Sequence, residues 1–249
     1  MPDQPFAERR VAVTGASGSL GQALMRQLHA QGASLIALTS SNAALELHDS
    51  SGRPIPLQKV SWCCGEEEAL KPVLEQCDVL VINHGYNSHG DRSPEAVLRS
   101  LEVNALSSWR LLELMGQLAH QGLEPERQRE VWINTSEAEI QAAVSPLYEI
   151  SKRLQGQLLS LRSLDLASSK LRIRRLVLGP FRSALNPIGV MSADFVAGQI
   201  LRQVRWNFGL VIVTPNPLTY LLMPLSSISR WLYFKAVSRG DQPVRNHGR

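Results

Sequence analysis

A doubly wound parallel α/β sheet in a single domain is the fold this sequence predicts, on three observations. Short apolar runs alternate with helix-length stretches, a glycine-rich turn joins the first run to the first helix, and no Pro/Gly/Ser-rich linker divides the 249 residues. With 44% hydrophobic and 19% charged residues, the chain can bury one sizeable core, which excludes disordered and collagen-like classes. MPDQPFAERR runs straight into Val11 without an apolar leader, so a cytoplasmic setting is expected.

Residues 10–14 form the first apolar run, and Leu20, Ala23, Leu24 and Leu28 then recur at helical spacing until Gly32. A second run at 34–38 closes a βαβ unit whose connection is too long for a hairpin, so the two strands are parallel. Further strands are predicted at 55–62, 78–83, 129–135, 171–178 and 209–213. One long helix opens on Ser93-Pro94, an N-cap followed by proline at the first helical position, and runs to about Ala119; another spans Pro146 to Ser169. From Leu210 to Ser229 there is no charge, yet Pro215, Pro217 and Pro224 argue against a membrane-spanning helix.

The net charge of +4 is unevenly spread: residues 171–249 hold 11 Lys/Arg against 2 Asp/Glu, the rest 15 against 20. A basic last third suits a phosphate-bearing ligand or an anionic membrane surface; no nucleic-acid reading motif accompanies it, so nucleic acid is not expected. Cys63 and Cys64 are adjacent and Cys77 stands apart, which builds neither a disulfide framework nor a zinc site. The six histidines form no HxxxH or HxxHH cluster, and no metal is expected.

Thr14 to Gly21 reads TGASGSLG, directly after a strand and opening a helix, the context a dinucleotide-binding turn requires. Gly15 serves the tight turn, Gly18 lets backbone approach a pyrophosphate, and Gly21 lets the helix pack on the sheet while its N–H groups face the anion. A plain glycine turn is the competing reading. After the second strand stand Leu38-Thr39-Ser40-Ser41-Asn42, with no acid to bond a ribose 2′-hydroxyl and repel a 2′-phosphate. NADP(H) is therefore preferred, with NAD(H) as the alternative. On the second long helix Tyr148 and Lys152 stand one turn apart in YEISK, where an ammonium would lower the phenol's pKa and fit it for proton transfer; an exposed i,i+4 pair is the bland alternative.

TGASGSLG at 14–21, NHG at 83–85, VNALSS at 103–108, INTS at 133–136 and YEISK at 148–152 together resemble the short-chain dehydrogenase/reductases over nearly the whole chain. The wording at 179–194 and 213–222 is similar to a cyanobacterial group of short-chain reductases. The resemblance implies a Rossmann-type domain over 1–249 and an oxidoreductase that moves a hydride between nicotinamide and a carbonyl or alcohol. By the same resemblance Tyr148 is the general acid/base, and Lys152 lowers its pKa and contacts the nicotinamide ribose. Ser136 orients the carbonyl, with Thr135 as the alternative, and Asn104 holds a water relay to Lys152. Cofactor contacts fall to Thr14, Gly15, Ser17, Gly18, Leu20, Gly21, Thr39, Ser40, Asn83, Gly85, Lys152, Gly179 and Pro180. Three features depart from the family pattern. The glycine spacing looks more like that of extended or atypical members, Gly179-Pro180 inverts a common Pro-Gly, and His84 replaces an alanine, read here as a packed residue.

The resemblance places a substrate lid at 180–208, where Phe181, Leu185, Ile188, Val190, Met191 and Phe195 would favour an apolar substrate. The 214–249 segment, apolar then basic, reads as core, as a dimer seam or as a contact with an anionic membrane. A homo-oligomer, dimer or tetramer, follows from the resemblance. The alternative function is a redox-inactive nucleotide-binding sensor or structural protein, membrane-peripheral in one form.

Overall fold

The computed structural model describes residues 5–121, 128–165 and 170–237. Seven strands, β1 (Arg10–Thr14), β2 (Ser34–Thr39), β3 (Leu57–Ser61), β4 (Val79–Ile82), β5 (Arg129–Ser136), β6 (Leu171–Leu178) and β7 (Leu210–Val213), form one sheet ordered β3-β2-β1-β4-β5-β6-β7. Every pairing is parallel. This is the expected doubly wound, Rossmann-type sheet. Its strand bounds follow the apolar runs closely because strands covered on both faces are apolar almost throughout. The winding reverses between β1 and β4, which opens a crevice at the carboxyl ends of the strands.

β1 shows how the layers are filled. Val11 and Val13 pack toward Leu24 and Leu28 of α1 (Ser19–Ala30) and Val196 and Ile200 of α6 (Ala193–Arg205). Ala12 faces the opposite layer, with Leu111 and Met115 of α4 (Ser107–Gln121) and Leu159 of α5 (Pro146–Asp165). A short α2 (Lys71–Leu74) returns the chain from β3 to β4.

Three expectations need correction. The single helix predicted from residue 93 to 119 is α3 (Pro94–Leu101), a π-helical turn at Glu102–Leu106, and α4. Ser93 does cap α3, its Oγ accepting the Ala96 N–H at 3.2 Å. Second, the stretch read as a lid over 180–208 divides in two: 181–192 is an irregular loop, while 193–205 is α6, whose Val196, Ala197, Ile200 and Leu201 are core residues against α1. These core residues recur at helical spacing because they pack on α1, while Phe195 on the same helix is exposed. Third, the prolines after residue 214 do not break the chain repeatedly. Pro217 starts a 21-residue helix, α7 (Pro217–Val237), and Pro224 sits inside it. Residues 166–169 of the predicted second long helix and 238–249 of the C-terminal segment lie outside the described residues.

At the amino edge of the sheet, a buried ion pair joins neighbouring strands. Glu130 on β5 accepts from Arg174 Nε on β6 at 2.7 Å and from Trp132 Nε1 at 2.9 Å, and Arg9 Nη1 approaches at 3.3 Å. Burial alone would raise the Glu130 carboxyl, but the hydrogen bonds from Arg174 and Trp132 outweigh it and hold the pKa below the ordinary carboxylate value. Because the folded pKa is depressed, its stabilising contribution is present above the unfolded carboxylate pKa and is lost as pH falls through the folded one. Glu130→Ala strands a buried guanidinium and is expected to cost about 3 kcal/mol in urea unfolding at pH 7. The gap to the wild type should shrink as pH is lowered below about 4.

Candidate active site

The glycine turn between β1 and α1 is shaped by what lies behind it. Gly15 has φ +60, and a Cβ there would stand 2.9 Å from His84 Cα, so both the backbone conformation and the close approach demand glycine. Gly21 passes so near the Gly15 carbonyl that a side chain would collide with it. Gly18 is the N-cap residue of α1 and provides no side-chain cap, while Ser17, Gly18 and Ser19 are exposed. The first N–H groups of α1 are thus presented to a ligand, and these residues fit a pyrophosphate. Leu20 is core, so it shapes the turn from beneath.

Thr14 ties this turn to β4. Its hydroxyl accepts the backbone N–H groups of Asn83 at 2.8 Å and His84 at 3.2 Å and lies 2.9 Å from His84 Nδ1. The His84 ring meets Trp62 edge-on with centroids 5.2 Å apart, and burial, helped by the charge of Lys152, pushes its pKa down to about 4. It is a neutral packed histidine at physiological pH, as the sequence reading had it. Asn83 spends its side chain on the scaffold, its Nδ2 reaching the Gly15 carbonyl at 3.4 Å and its Oδ1 accepting from Asn134 at 3.0 Å. Gly85 faces Asn104 Oδ1, where a Cβ would stand 3.4 Å away.

At the end of β2, Thr39 is buried and its hydroxyl is occupied by Ser17 Oγ at 3.1 Å and the Ser41 N–H at 3.1 Å. The exposed polar groups there are those of Ser40 and Asn42, without a carboxylate. Lys59 on β3 adds a cation to the same loop, its Nζ donating to the Ala43 carbonyl at 2.6 Å.

The π-helical turn aims Asn104 inward. Its amide is fully engaged: Oδ1 accepts the Tyr86 N–H at 2.8 Å, and Nδ2 donates to the Tyr86 carbonyl at 2.8 Å and to Ser151 Oγ at 2.9 Å. Ser136 ends β5 and its Oγ caps the short turn that follows, accepting the Ala138 N–H at 3.2 Å. Thr135 turns away and donates to the Leu176 carbonyl at 3.2 Å. Tyr148 is half-buried on α5, with Ser136 close enough to act on its phenol.

Lys152 departs from expectation. It is almost fully buried, and its Nζ donates to the Asn134 carbonyl at 3.1 Å and to Gln155 Oε1 at 3.0 Å, lying 5.7 Å from the centre of the Tyr148 ring. Burial without a facing carboxylate pushes its pKa down to about 7. The Tyr148 phenol is correspondingly raised, not lowered: burial acts first and the Glu137 charge adds to it, while Ser136 opposes both. Side chains also connect Asn104 to Lys152. Ser108 Oγ donates to the Asn104 carbonyl at 3.2 Å, and Gln155 bridges Ser108 Oγ at 3.1 Å to the lysine.

The structure therefore brings Asn104, Ser136, Tyr148 and Lys152 to one place beside the glycine turn. Gly179 directly follows Leu178, the partner of Ser136 across β5 and β6; it is buried with no room between it and Thr214, and its N–H bonds the Val213 carbonyl at 2.9 Å. Pro180 anchors the 181–192 loop, its carbonyl accepting from Val190 and Met191.

Comparison with known proteins agrees with this geometry. Residues 11–143 match the model of the NAD dependent epimerase/dehydratase family. Human L-xylulose reductase is 30% identical across 76% of this chain and 74% of its own. The chain belongs to the short-chain dehydrogenase/reductase family. A monoglucosyldiacylglycerol epimerase of Synechocystis sp. is 43% identical over 231 residues, 93% of this chain; the chain spans 55% of that epimerase's length. In fold, a short-chain dehydrogenase of Burkholderia cenocepacia, solved in complex with NADP, superposes with a TM-score of 0.72 at 16% identity, covering 94% of this chain and 99% of its own.

Within this short-chain dehydrogenase/reductase, three residues near the site escaped the sequence reading. Gln155 lies on the same face of α5 as Lys152, a spacing of three that was there to be read. Arg182 joins Ser19, Ser183 and Met191 around an open cleft of about 410 Å³ at the amino end of α1. Glu137, next to Ser136, accepts from Thr214 Oγ1 at 2.6 Å and Thr219 Oγ1 at 3.2 Å and so ties the Ser136 segment to α7.

The lysine provides a test that needs no substrate. Its folded pKa lies below the ordinary value, so the burial cost is in full force below pH 7 and is relieved as pH rises toward 10.5. The stability of Lys152→Met relative to wild type should therefore fall between pH 7 and 10, by on the order of 1 kcal/mol or more in denaturant titrations. A pH-independent difference would mean that the ammonium is stabilised inside the fold.

Proposed function

We propose that this chain is an NADP(H)-dependent oxidoreductase that moves a hydride between nicotinamide and the carbonyl or alcohol carbon of an apolar substrate, with Tyr148 as the proton carrier. The observation that carries the reading is the convergence of Ser136, Tyr148 and the almost fully buried Lys152, its Nζ 5.7 Å from the centre of the Tyr148 ring, at the carboxyl edge of the sheet. The cofactor supplies the hydride; the chain's own residues position the oxygen and manage its proton.

Tyr148, raised in pKa, keeps its phenolic proton at neutral pH and so donates to a carbonyl oxygen as negative charge develops there. Ser136 Oγ stands beside it as a second hydrogen-bond partner for the same oxygen. Lys152, with its pKa pushed down to about 7, is held beside the phenol by the Asn134 carbonyl and by Gln155, which Ser108 orients in turn. Asn104, with its amide fixed by Tyr86 and Ser151, holds the helix that carries them. Thr14, Gly15, Ser17, Gly18 and Gly21 would hold the nucleotide's pyrophosphate, and Arg182 adds positive charge to the adjoining cleft. Ser40 and Lys59 support the 2′-phosphate of NADP(H) at the end of β2, and the NADP complex of the Burkholderia relative favours the same choice.

The substrate is suggested by exposed apolar residues on the 181–192 loop, Leu185, Ile188 and Val190. It is also suggested by the epimerase relative, whose name describes a glycolipid. That relative favours a second outcome of the same chemistry: a sugar hydroxyl is oxidised to a ketone, and the hydride then returns to the opposite face. A cytoplasmic homo-oligomer completes the reading.

Tyr148→Phe is expected to lower turnover about 10²–10⁴-fold while leaving NADPH affinity, read by nicotinamide fluorescence, within about threefold of wild type. Unchanged turnover would remove Tyr148 from the chemistry. In the same titration wild type should bind NADPH at least tenfold more tightly than NADH, and Ser40→Asp should reverse that order. Net oxidation or reduction of the nucleotide during turnover separates a reductase from an epimerase, which consumes none.

A further inference from the structure

α7 is anchored at one end and uncovered along most of its length. Its first turn is tied to the body by Glu137 and Gln141, the latter donating to Thr219 Oγ1 at 2.7 Å, and only Thr219 and Met223 are buried along the described helix. Beyond them Leu221, Leu225, Ile228, Trp231, Leu232 and Tyr233 are each 48–65% exposed. At 3.6 residues per turn these six sweep roughly 200° of the helix circumference. A partner helix covers a stripe about half that wide. Apolar surface on this scale needs a surrounding medium, not a seam.

The charge pattern identifies the medium. Between Asp194 and Asp241 the sequence has no Asp or Glu, against Arg202, Arg205, Arg230, Lys235 and Arg239. Lys235 lies within the apolar arc, its Nζ 4.6 Å from the centre of the Trp231 ring, so its stem follows the aromatic face and its charge reaches outward. Tryptophan and tyrosine beside a snorkelling lysine suit the headgroup layer of a bilayer, and anionic headgroups complement an acid-free basic stretch. No helix of the described residues is long and apolar enough to cross a membrane.

We propose that α7 is a docking helix that lies in the surface of an anionic lipid bilayer and holds the site beside it. Thr219 is joined through Glu137 to the segment that carries Ser136, so the docked surface adjoins the chemistry. The proposal stands on α7 itself and does not depend on which alcohol or ketone the site transforms.

Co-sedimentation of the full chain with vesicles tests it. Binding to phosphatidylglycerol vesicles should be at least tenfold tighter than to phosphatidylcholine vesicles and should weaken with salt. Leu225→Glu/Leu232→Glu should lose at least tenfold of it with melting temperature and NADPH affinity unchanged; Lys235→Glu should lessen the preference for the anionic lipid. Wild-type protein that stays in the supernatant with both vesicles overturns the proposal, as does a double variant that still sediments. A wild-type dimer that the double variant dissolves in light scattering, without vesicle binding, assigns the face to a second copy instead. Failure of NADPH to bind would sink the oxidoreductase reading and leave this one standing.

Discussion

Parallel pairing is the constraint from which the rest of the molecule follows. A parallel strand cannot be reached by a hairpin, so each connection must cross back over the sheet, and all seven strands deliver their carboxyl ends to one edge. Covering both faces with the returning helices buries the strands and leaves that edge as the place where loops carry polar groups. The glycine turn after β1, the Ser40 loop after β2, the Asn83–Gly85 segment after β4 and Ser136 after β5 meet there because the topology allows them nowhere else.

Two buried cations divide structural from chemical work. Arg174, at the amino edge, is matched by Glu130 and further bonded to the Phe208 carbonyl at 2.7 Å, so its charge is neutralised within the fold. Lys152, at the opposite edge, meets only a carbonyl and an amide oxygen and is left near its titration point. Burial without a matching carboxylate is what sets Lys152 apart from Arg174. Glu137 acts on the phenol, helping to keep it protonated.

The legibility of the chain followed the physics of each part. Strands wrapped on both sides write themselves as apolar runs, so β1 and β6 had the bounds read from sequence, and Ser93-Pro94 marked the start of α3. The π-helical turn was invisible because Glu102–Leu106 are ordinary helix formers and the wider hydrogen-bond register leaves no compositional trace. The resemblance that placed a lid over 180–208 could not divide that stretch into an irregular loop and α6, whose inner face packs on α1. Thr39 had the right chemistry for a ligand, but its hydroxyl is spent on Ser17 and Ser41, a local competition that sequence cannot weigh. The Tyr148 phenol is raised because burial and the Glu137 charge act on it, and the spacing of four, which put Lys152 on the same face, reveals neither these nor the claim of Asn134 and Gln155 on the ammonium.

The anchoring of α7 has a mechanical consequence. With Thr219 and Met223 as its buried points, the helix is held most firmly at its start: from Met223 to Val237 it runs on for roughly 21 Å at 1.5 Å per residue. A tilt of about 10° at the root would carry the tip nearly 4 Å. The tip can therefore follow an uneven surface while the root, bonded to Glu137 and Gln141, keeps its register with Ser136.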